Sequence, residues 1–141
     1  DARMSTPVVG NIRWEWDWVR VGVQEILDKQ PQLTFRPEDV YAECVTGAAT
    51  LFIDEHKNFA VTTIEVDKFT NENTFLIWLA WCSGKGLRRN SFSDLYVPFF
   101  EQVARDCKCA FLEVRTSLDK SNEYYINNGW DLDTRVFTRT L

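Results

Sequence analysis

The chain has 141 residues, of which 45% are hydrophobic and 14% aromatic, and its formal net charge is -5. This length suits one domain with its own core, and the aromatic content argues against disorder. The net negative charge disfavours non-specific binding to the phosphates of nucleic acids. Any site for an anion therefore has to be formed by a local cluster of basic residues or backbone amides. No apolar run reaches the roughly 18 residues of a membrane span, and no membrane association is predicted.

The cysteines and the start of the chain bear on its location. Four cysteines are too few and too scattered for a disulfide framework, and the CKC sequence at 107–109 lacks the spacing of a zinc or redox site. We therefore expect reduced thiols, no metal and, since no signal peptide is seen, a cytoplasmic location. Met4 is the only methionine, so translation is expected to begin there, with residues 1–3 left from cloning. Residues 1–13 are treated as a leader and residues 14–141 as a single domain.

The first two segments have helical periodicity. In "WEWDWVRVGVQEILDKQP" the apolar residues repeat at three- and four-residue intervals along one face: Trp16, Val19, Val23, Ile26 and Leu27. Pro31 ends this segment. The next, "RPEDVYAECVTG", has a proline in its first turn, acidic residues near the positive helix end and a terminating Gly47. Two helices therefore open the domain.

From Ala49 the periodicity changes to that of strands. "ATLFIDE", "FAVTTIEVD" and "TFLIWLAWC" predict three strands of a meander joined by polar turns. The third run has no charge over nine residues, as expected of a central strand covered on both faces.

After a glycine-rich turn, the sequence predicts a third helix with a proline inside it. Because Pro98 lacks an amide donor, we expect regular helix only from about Val97, with residues 91–96 in a separate turn. "AFLEVRT" then predicts a fourth strand, "KSNEYYINNG" a short helix ended by Gly129, and "WDLDTRVFTRTL" one or two closing strands.

This order of elements, with the segment "FLEVRTSLDKSNEYYINNGW", resembles the GNAT acyltransferase superfamily. Leu112-Glu113-Val114 matches the strand motif of the family, Tyr125 the tyrosine on the following helix, and Gly129-Trp130 the glycine-aromatic pair. The resemblance implies an α/β (α+β) fold: a twisted, mixed, mostly antiparallel sheet with helices on both faces and a splay between the fourth and fifth strands where a cofactor could enter. It also implies acyl transfer, acetyl above all, from acetyl-CoA or another acyl-CoA to a primary amine.

The segment "SGKGLRRN" lies where the family holds the pyrophosphate of CoA. Glycine lets backbone amides approach phosphates closely, and a helix N-terminus adds a favourable dipole. The resemblance assigns cofactor binding to Ser83, Gly84, Lys85, Gly86, Leu87, Arg88 and Arg89. Ser83 departs from the Gln or Arg of the family, and Arg88 stands where a residue without bulk is usual, so the loop is degenerate. Either its basic side chains bind the phosphates instead, or the segment is a solvated turn.

The resemblance also names candidate catalytic residues. Tyr125 would be the general acid that protonates the thiolate of CoA, and Glu65, with Asp67 close by, the base that deprotonates the amine. The alternative is that Tyr125 packs on its helix beside Tyr124, and that Glu65 is an ordinary solvent-facing carboxylate. His56 has no serine or cysteine partner and is expected at the surface, which disfavours triad catalysis.

A second hypothesis is a catalytically inactive GNAT-fold protein. "LYVPFFEQVARDC" and "EDV" are similar to segments of small GNAT-like bacteriophage proteins, so the alternative is a phage accessory or virion-associated protein, in host cytoplasm or virion. Trp14, Trp16 and Trp18 would then line a protein-binding surface, or else fill the core. The expected partners are an amine-bearing small molecule or protein acceptor under the first hypothesis and a protein under the second, with a homodimer left open.

Overall fold

The computed structural model describes residues 6–84, 91–115 and 119–141. In chain order the elements are β1 (Val8–Val9), α1 (Ile12–Lys29), α2 (Pro37–Thr46), β2 (Thr50–Ile53), β3 (Phe59–Val66), β4 (Asn73–Trp81), α3 (Ser91–Asp106), β5 (Phe111–Val114) and α4 (Asp119–Asn127). The predicted α/β (α+β) class is confirmed, and the four strands predicted between Ala49 and Thr116 correspond to β2, β3, β4 and β5.

The strands among the described residues form one five-stranded sheet in the order β1-β2-β3-β4-β5. The first three pairs are antiparallel, whereas β4 and β5 are parallel. Antiparallel neighbours need only a short turn between them, but a parallel pair needs a crossover, which α3 supplies here. The prediction of a mixed, mostly antiparallel sheet is therefore confirmed.

Helices cover both faces of the sheet, as predicted. α1 and α2 pack on one face around a core that includes Val19, Val40 and Val61. α3 packs on the other face, where Phe100 contacts the rings of Phe52 and Phe75. None of the described helices combines the length and the apolarity needed to cross a membrane.

The prediction that Pro98 delays the third helix is wrong, because α3 runs without interruption from Ser91 and contains Pro98. The carbonyl that loses its i→i+4 donor belongs to Asp94, and both Asp94 and Pro98 are exposed. That carbonyl therefore faces the solvent side, where water can satisfy it. The apolar face, which includes the buried Tyr96 and Phe100, favours continuous helix.

The two ends of the chain also differ from the sequence-based expectation. Val8–Val9 pair with β2, and Ile12 is buried in the core, so ordered structure begins before the expected boundary at residue 14. The prediction of closing strands after Gly129 is wrong: residues 130–141 contain no strand, and residues 131–141 are exposed. Their few apolar side chains alternate as in a strand, but they bury too little surface to offset the entropy of ordering the backbone.

Candidate functional site

The parallel pairing of β4 with β5 covers only the first half of β4, because β5 itself ends at Val114. Their pairing ends at Ile77↔Val114, whereas β4 continues to Trp81. β4 is bulged at the same place, because Leu79 pairs with Val61 and Ile77 with Thr62, which leaves Trp78 as an extra residue. A bulge bends a strand and increases its local twist. The splay implied by the resemblance stays a prediction; among the described residues, the second half of β4 has no partner strand on the side of β5.

The edge of β4 beyond Ile77, on the side of β5, can accept an extended ligand. Beyond Ile77, no described strand pairs with β4 on the side of β5. Backbone N–H and C=O groups at such an edge need partners, and a ligand that carries amides can add to them as a strand would. Ala80 in this stretch is exposed although the stretch belongs to an inner strand of the sheet.

The chain leaves β4 through Ser83 and Gly84, two of the residues predicted to bind a cofactor. Ser83 N–H donates to Asn58 Oδ1 at 2.9 Å, and Ser83 Oγ donates to the carbonyl oxygen of His56 at 2.6 Å. Gly84 has a φ of +81°, which disfavours other residues, and an added Cβ would meet nothing within 4 Å. The other predicted cofactor-binding residues lie outside the described residues: Lys85, Gly86, Leu87, Arg88 and Arg89.

A buried polar cluster lies directly beneath the exit of β4. Asp54, Asn58 and Tyr96 are 7%, 0% and 1% exposed. Asp54 Oδ2 accepts the hydroxyl of Tyr96 at 3.0 Å and the side-chain amide of Asn58 at 3.0 Å. Asp54 Oδ1 also accepts the backbone N–H groups of His56 and Asn58. The cluster therefore connects the turn between β2 and β3 with Ser83 and with α3.

Tyr125, the predicted general acid, lies on α4, the helix that follows β5. Its ring is half-buried and makes an edge-to-face contact with Trp130, with the ring centroids 5.2 Å apart. The Trp130 N–H donates to the carbonyl of Tyr125 at 3.0 Å, which holds the glycine-aromatic pair against the helix. Burial, and then the charge of Tyr124, raises the pKa of Tyr125. The phenol therefore stays protonated around neutral pH, as a proton donor must.

Glu65, the predicted base, lies near the end of β3 in an ion pair. Arg115 Nη2 is 2.7 Å from Glu65 Oε2 and 2.7 Å from Glu113 Oε2. The hydrogen bond to Glu65 is the main cause that raises the pKa of Arg115. Asp67 caps the following turn, where the N–H groups of Phe69 and Thr70 donate to it and lower its pKa. Of these two carboxylates, Glu65 is thus the one that approaches the end of β5.

The three N-terminal tryptophans have different environments. Trp14 is 83% exposed. Trp16 packs against Tyr41, and Trp18 packs against Phe59 and donates its ring N–H to Glu15. A protein partner at this surface would therefore contact Trp14 and only the outer edges of the other two rings.

Sequence reasoning missed the roles of Asp54, Asn58 and Tyr96. "DEHKN" has the composition of any exposed turn, so no feature of it indicates that Asn58 is fully buried. His56, expected at the surface, has a side chain only 25% exposed. The sequence does indicate a hydrogen-bonded turn here, because Asp and Asn, which often cap turns, lie on either side of it. It does not indicate that their side chains are buried.

Comparisons with known proteins identify the fold. No protein-family model matches the sequence, and no curated protein matches it either. Among solved structures, an acetyltransferase from Trypanosoma brucei has a TM-score of 0.71 at 12% identity, with 99% of this chain and 100% of that chain covered. An aminoglycoside acetyltransferase from an uncultured soil metagenomic sample, solved in complex with sisomicin, has a TM-score of 0.67 at 10% identity, with coverages of 96% and 95%. The chain has the GNAT fold.

Proposed function

We propose that this protein is an acyl-CoA-dependent N-acyltransferase that transfers an acyl group, most simply acetyl, to a primary amine. The observation that carries the proposal is the edge of β4 beyond Ile77, where the parallel pairing with β5 has ended and no described strand replaces it. A glycine turn lies at the exit of β4, and Tyr125 lies on the helix that follows β5. The GNAT fold of the chain, shared with acetyltransferases of known structure, supports the same function.

The residues at and after this edge of β4 suit the parts of acyl-CoA. The free edge of β4, residues 78–81, offers backbone groups to the amide-bearing arm. The open backbone at Gly84 permits close approach of the pyrophosphate, and the basic side chains of Lys85, Arg88 and Arg89 supply positive charge from the sequence that follows. Ser83 uses both of its donors on the β2–β3 turn, so we assign it the role of an anchor for this loop and not of a phosphate ligand.

Bound acyl-CoA supplies the acyl group as a thioester, which an amine can attack. A C–N bond forms and the C–S bond breaks, so the amine has to lose one proton and the sulfur has to gain one. Tyr125 Oη holds the proton for the sulfur, because its raised pKa keeps it protonated. We assign the amine proton to Glu65 Oε2, which must release Arg115 before it can accept that proton.

The first test is thermal denaturation with acetyl-CoA. A ligand at about 100 times its Kd stabilises the folded state by about 2.7 kcal/mol, so we expect a raised Tm at millimolar acetyl-CoA. Replacing Lys85, Arg88 and Arg89 together with alanine should abolish the shift. Absence of any shift for the unchanged protein at millimolar ligand would overturn the proposal.

The second test separates chemistry from binding at Tyr125. We expect Tyr125→Phe to lower kcat about 100-fold while the Kd for acetyl-CoA is unchanged. Tyr124→Phe is the matched control and should keep the full rate. In the unchanged protein, the rate should fall only above the ordinary tyrosine pKa of about 10, because deprotonation removes the acid. Tyr125→Phe should lose that alkaline limb, and an unchanged rate in this variant would remove Tyr125 from the mechanism.

One observation favours the competing function, a catalytically inactive GNAT-fold protein such as a phage accessory or virion-associated protein. Both donors of Ser83 face inward, so the loop has fewer groups to offer a phosphate than an unanchored loop would. Under this function Trp14 would be the contact for a protein partner. The two functions differ in the first test, since only the enzyme is stabilised by acetyl-CoA.

A further inference from the structure

We propose that the outer edge of β5 is a docking edge for residues 131–141, the closing segment, of a second copy of this chain. Each copy then adds one strand to the sheet of the other, so a single exchange fills both docking edges. The inference concerns contacts between two copies of the chain, and it does not depend on the proposed function.

The outer edge of β5 has no partner among the described strands. β5 is the last strand of the sheet and pairs with β4 on its inner side. Backbone N–H and C=O groups along such an edge can pair with a strand of another chain. Neither lysine nor proline, which commonly protect an edge, occurs in Phe111–Val114, and Phe111 is 57% exposed. β5 is therefore open to the addition of a strand.

The closing segment has the composition of a strand without its pairing. The structure describes all of residues 131–141, which are exposed and form no backbone hydrogen bond there. Val136 is 80% exposed and Phe137 is 90% exposed. Valine, phenylalanine and threonine, which recur in this segment, are the residue types that strands favour. The segment thus lacks only a partner.

The edge and the segment match in one antiparallel register. Leu112 and Val114 pack on the α3 side of the sheet, so Phe111 and Glu113 face the other side. Directly opposite residues on paired strands lie on the same face and interact. The register forms these cross-strand pairs, segment residue first: Val136 with Leu112, Phe137 with Phe111, Arg135 with Glu113, and Asp133 with Arg115. Apolar side chains meet apolar ones, and each charge meets its opposite.

Other registers lose this match. A shift of one residue moves Val136 to the face of Glu113. A shift of two residues in one direction keeps the faces but sets Arg135 opposite Arg115. The same shift in the other direction sets Asp133 opposite Glu113. Like charges directly opposite each other are destabilising, and no parallel alignment can form both of the opposite-charge pairs. The charges of the segment therefore select the antiparallel register.

The charges already present beside β5 favour the same register. Arg115 Nη2 lies 2.7 Å from Glu65 Oε2 and 2.7 Å from Glu113 Oε2, so two carboxylates share one guanidinium. These three side chains together carry an excess negative charge. In the proposed register, Arg135 of a second copy lies opposite Glu113 and offsets that excess.

A second copy is the occupant because the single chain carries both surfaces and leaves them apart. The N–H of Trp130 donates to the carbonyl of Tyr125, which holds the start of the segment at the end of α4. In the described structure the segment does not go on to pair with β5 of its own chain. Exchange between two copies pairs both edges through one interface with two-fold symmetry, which closes the assembly.

The first test is the mass of the full chain by sedimentation velocity at increasing concentration. We expect monomer at about 1 µM and dimer at several hundred micromolar, with the dimer Kd at least about tenfold higher for Val136→Ser. Val21→Ser, which changes an exposed valine of α1, is the matched control and should dimerise as the unchanged protein does. Circular dichroism checks that both variants fold. A monomer at every concentration, or equal effects of the two substitutions, would overturn the proposal.

The second test reverses one charge pair. Arg135→Glu and Glu113→Arg should each weaken the dimer at least about tenfold, because each sets like charges opposite one another. A mixture of the two variants should dimerise again, since every reversed side chain then meets an opposite charge on the other protein. Native mass spectrometry distinguishes the mixed dimer from the two parents. A mixture no more dimeric than its components would contradict the register.

Hydrogen exchange separates a second copy from pairing within one chain. The amides of residues 133–137 should exchange at least about tenfold more slowly at the concentration where the dimer forms than in dilute protein. Arg135→Glu should remove this protection. Protection that is equal in dilute, monomeric protein would show that the segment pairs with its own β5, and it would overturn the assignment to a second copy.

Discussion

Gly22 permits a close contact between α1 and the side chains of Phe59 and Trp81 on the sheet, and replacing it with alanine tests the packing beneath the candidate site. A Cβ at this position would lie 2.4 Å from Phe59 Cε2 and 2.7 Å from Trp81 Cδ2. Neither ring can move freely: Phe59 is fully buried, the two rings are stacked with centroids 5.7 Å apart, and Trp81 Nε1 donates to Glu25 at 2.7 Å. Since Trp81 is the last residue of β4, the helix would have to move away from the site.

Two opposing effects set the magnitude for Gly22→Ala. Overpacking a core costs about 1–3 kcal/mol. Alanine is the better helix former by about 1 kcal/mol, which offsets part of that cost. Because the clash is with a fully buried ring, we expect the larger cost to apply and a net loss of about 1–2 kcal/mol. At this chain length, that loss lowers Tm by roughly 3–7 °C.

Urea and thermal unfolding followed by circular dichroism measure this loss. Val21→Ala, at the exposed neighbouring helix position, is the control and should be neutral or slightly stabilising. Phe59→Leu removes the ring atom that the new Cβ meets, so the double variant with Gly22→Ala should lose less stability than the sum of the single losses. A Gly22→Ala protein as stable as the unchanged one would refute the close approach of α1 to β4.

Three further predictions concern single side chains. Pro98→Ala should stabilise the protein by about 1–3 kcal/mol in urea unfolding, because it restores a donor inside α3; no gain would show that the helix is already distorted there. Arg115→Met should cost less than about 1 kcal/mol, and the difference should shrink in high salt, because the pair with Glu65 is exposed; a larger, salt-independent loss would contradict this. Iodoacetamide at pH 8 should label the exposed Cys107 before Cys44, whose pKa burial raises to about 11, as mass spectrometry would show.

Periodicity predicted most of this fold because the apolar residues of most elements recur at the spacing of a helix or a strand and so identify the buried face. Val19 and Val23 of the helical stripe are buried, and the uncharged run of β4 is buried at residues 75–77 and at Leu79, although Ala80 is exposed. The glycines at the ends of α2 and α4 also fit, since Gly47 and Gly129 have φ values of +83° and +84°. These signals are local, so they do not depend on which elements become neighbours.

The errors arose where the outcome depends on the environment of a segment. Pro98 breaks a buried helix but is tolerated where the carbonyl it leaves faces water. The alternating C-terminal segment has the pattern of a strand, but a strand exists only through its partners, and none of the described strands pairs with it. The short strand Val8–Val9 carries too few residues for a pattern, and only its pairing with β2 identifies it.

The candidate site was predictable in its position and not in its hydrogen bonds. Order of elements placed the glycine turn at the exit of the central strand and Tyr125 after the parallel one. The contacts of Ser83 and the pairing of Glu65 with Arg115 each join residues far apart in the sequence. Such contacts cannot be predicted from the spacing of residues along the chain, because they depend on how the strands of the sheet are aligned.

The departure of the loop from the family pattern at Ser83 has a physical explanation in these contacts. The space at this position lies between the carbonyl of His56 and the amide of Asn58, and a serine hydroxyl fits it with a 2.6 Å bond. A Gln or Arg side chain is too long for that position and would have to extend elsewhere. On the proposed function, the chain has exchanged a side-chain contact with the ligand for an internal anchor, so the donors to phosphate must begin at Gly84.

Restoring the family residue with Ser83→Gln should then release the anchor and weaken binding of acetyl-CoA in calorimetry, whereas tighter binding would show that a lost ligand contact had been regained.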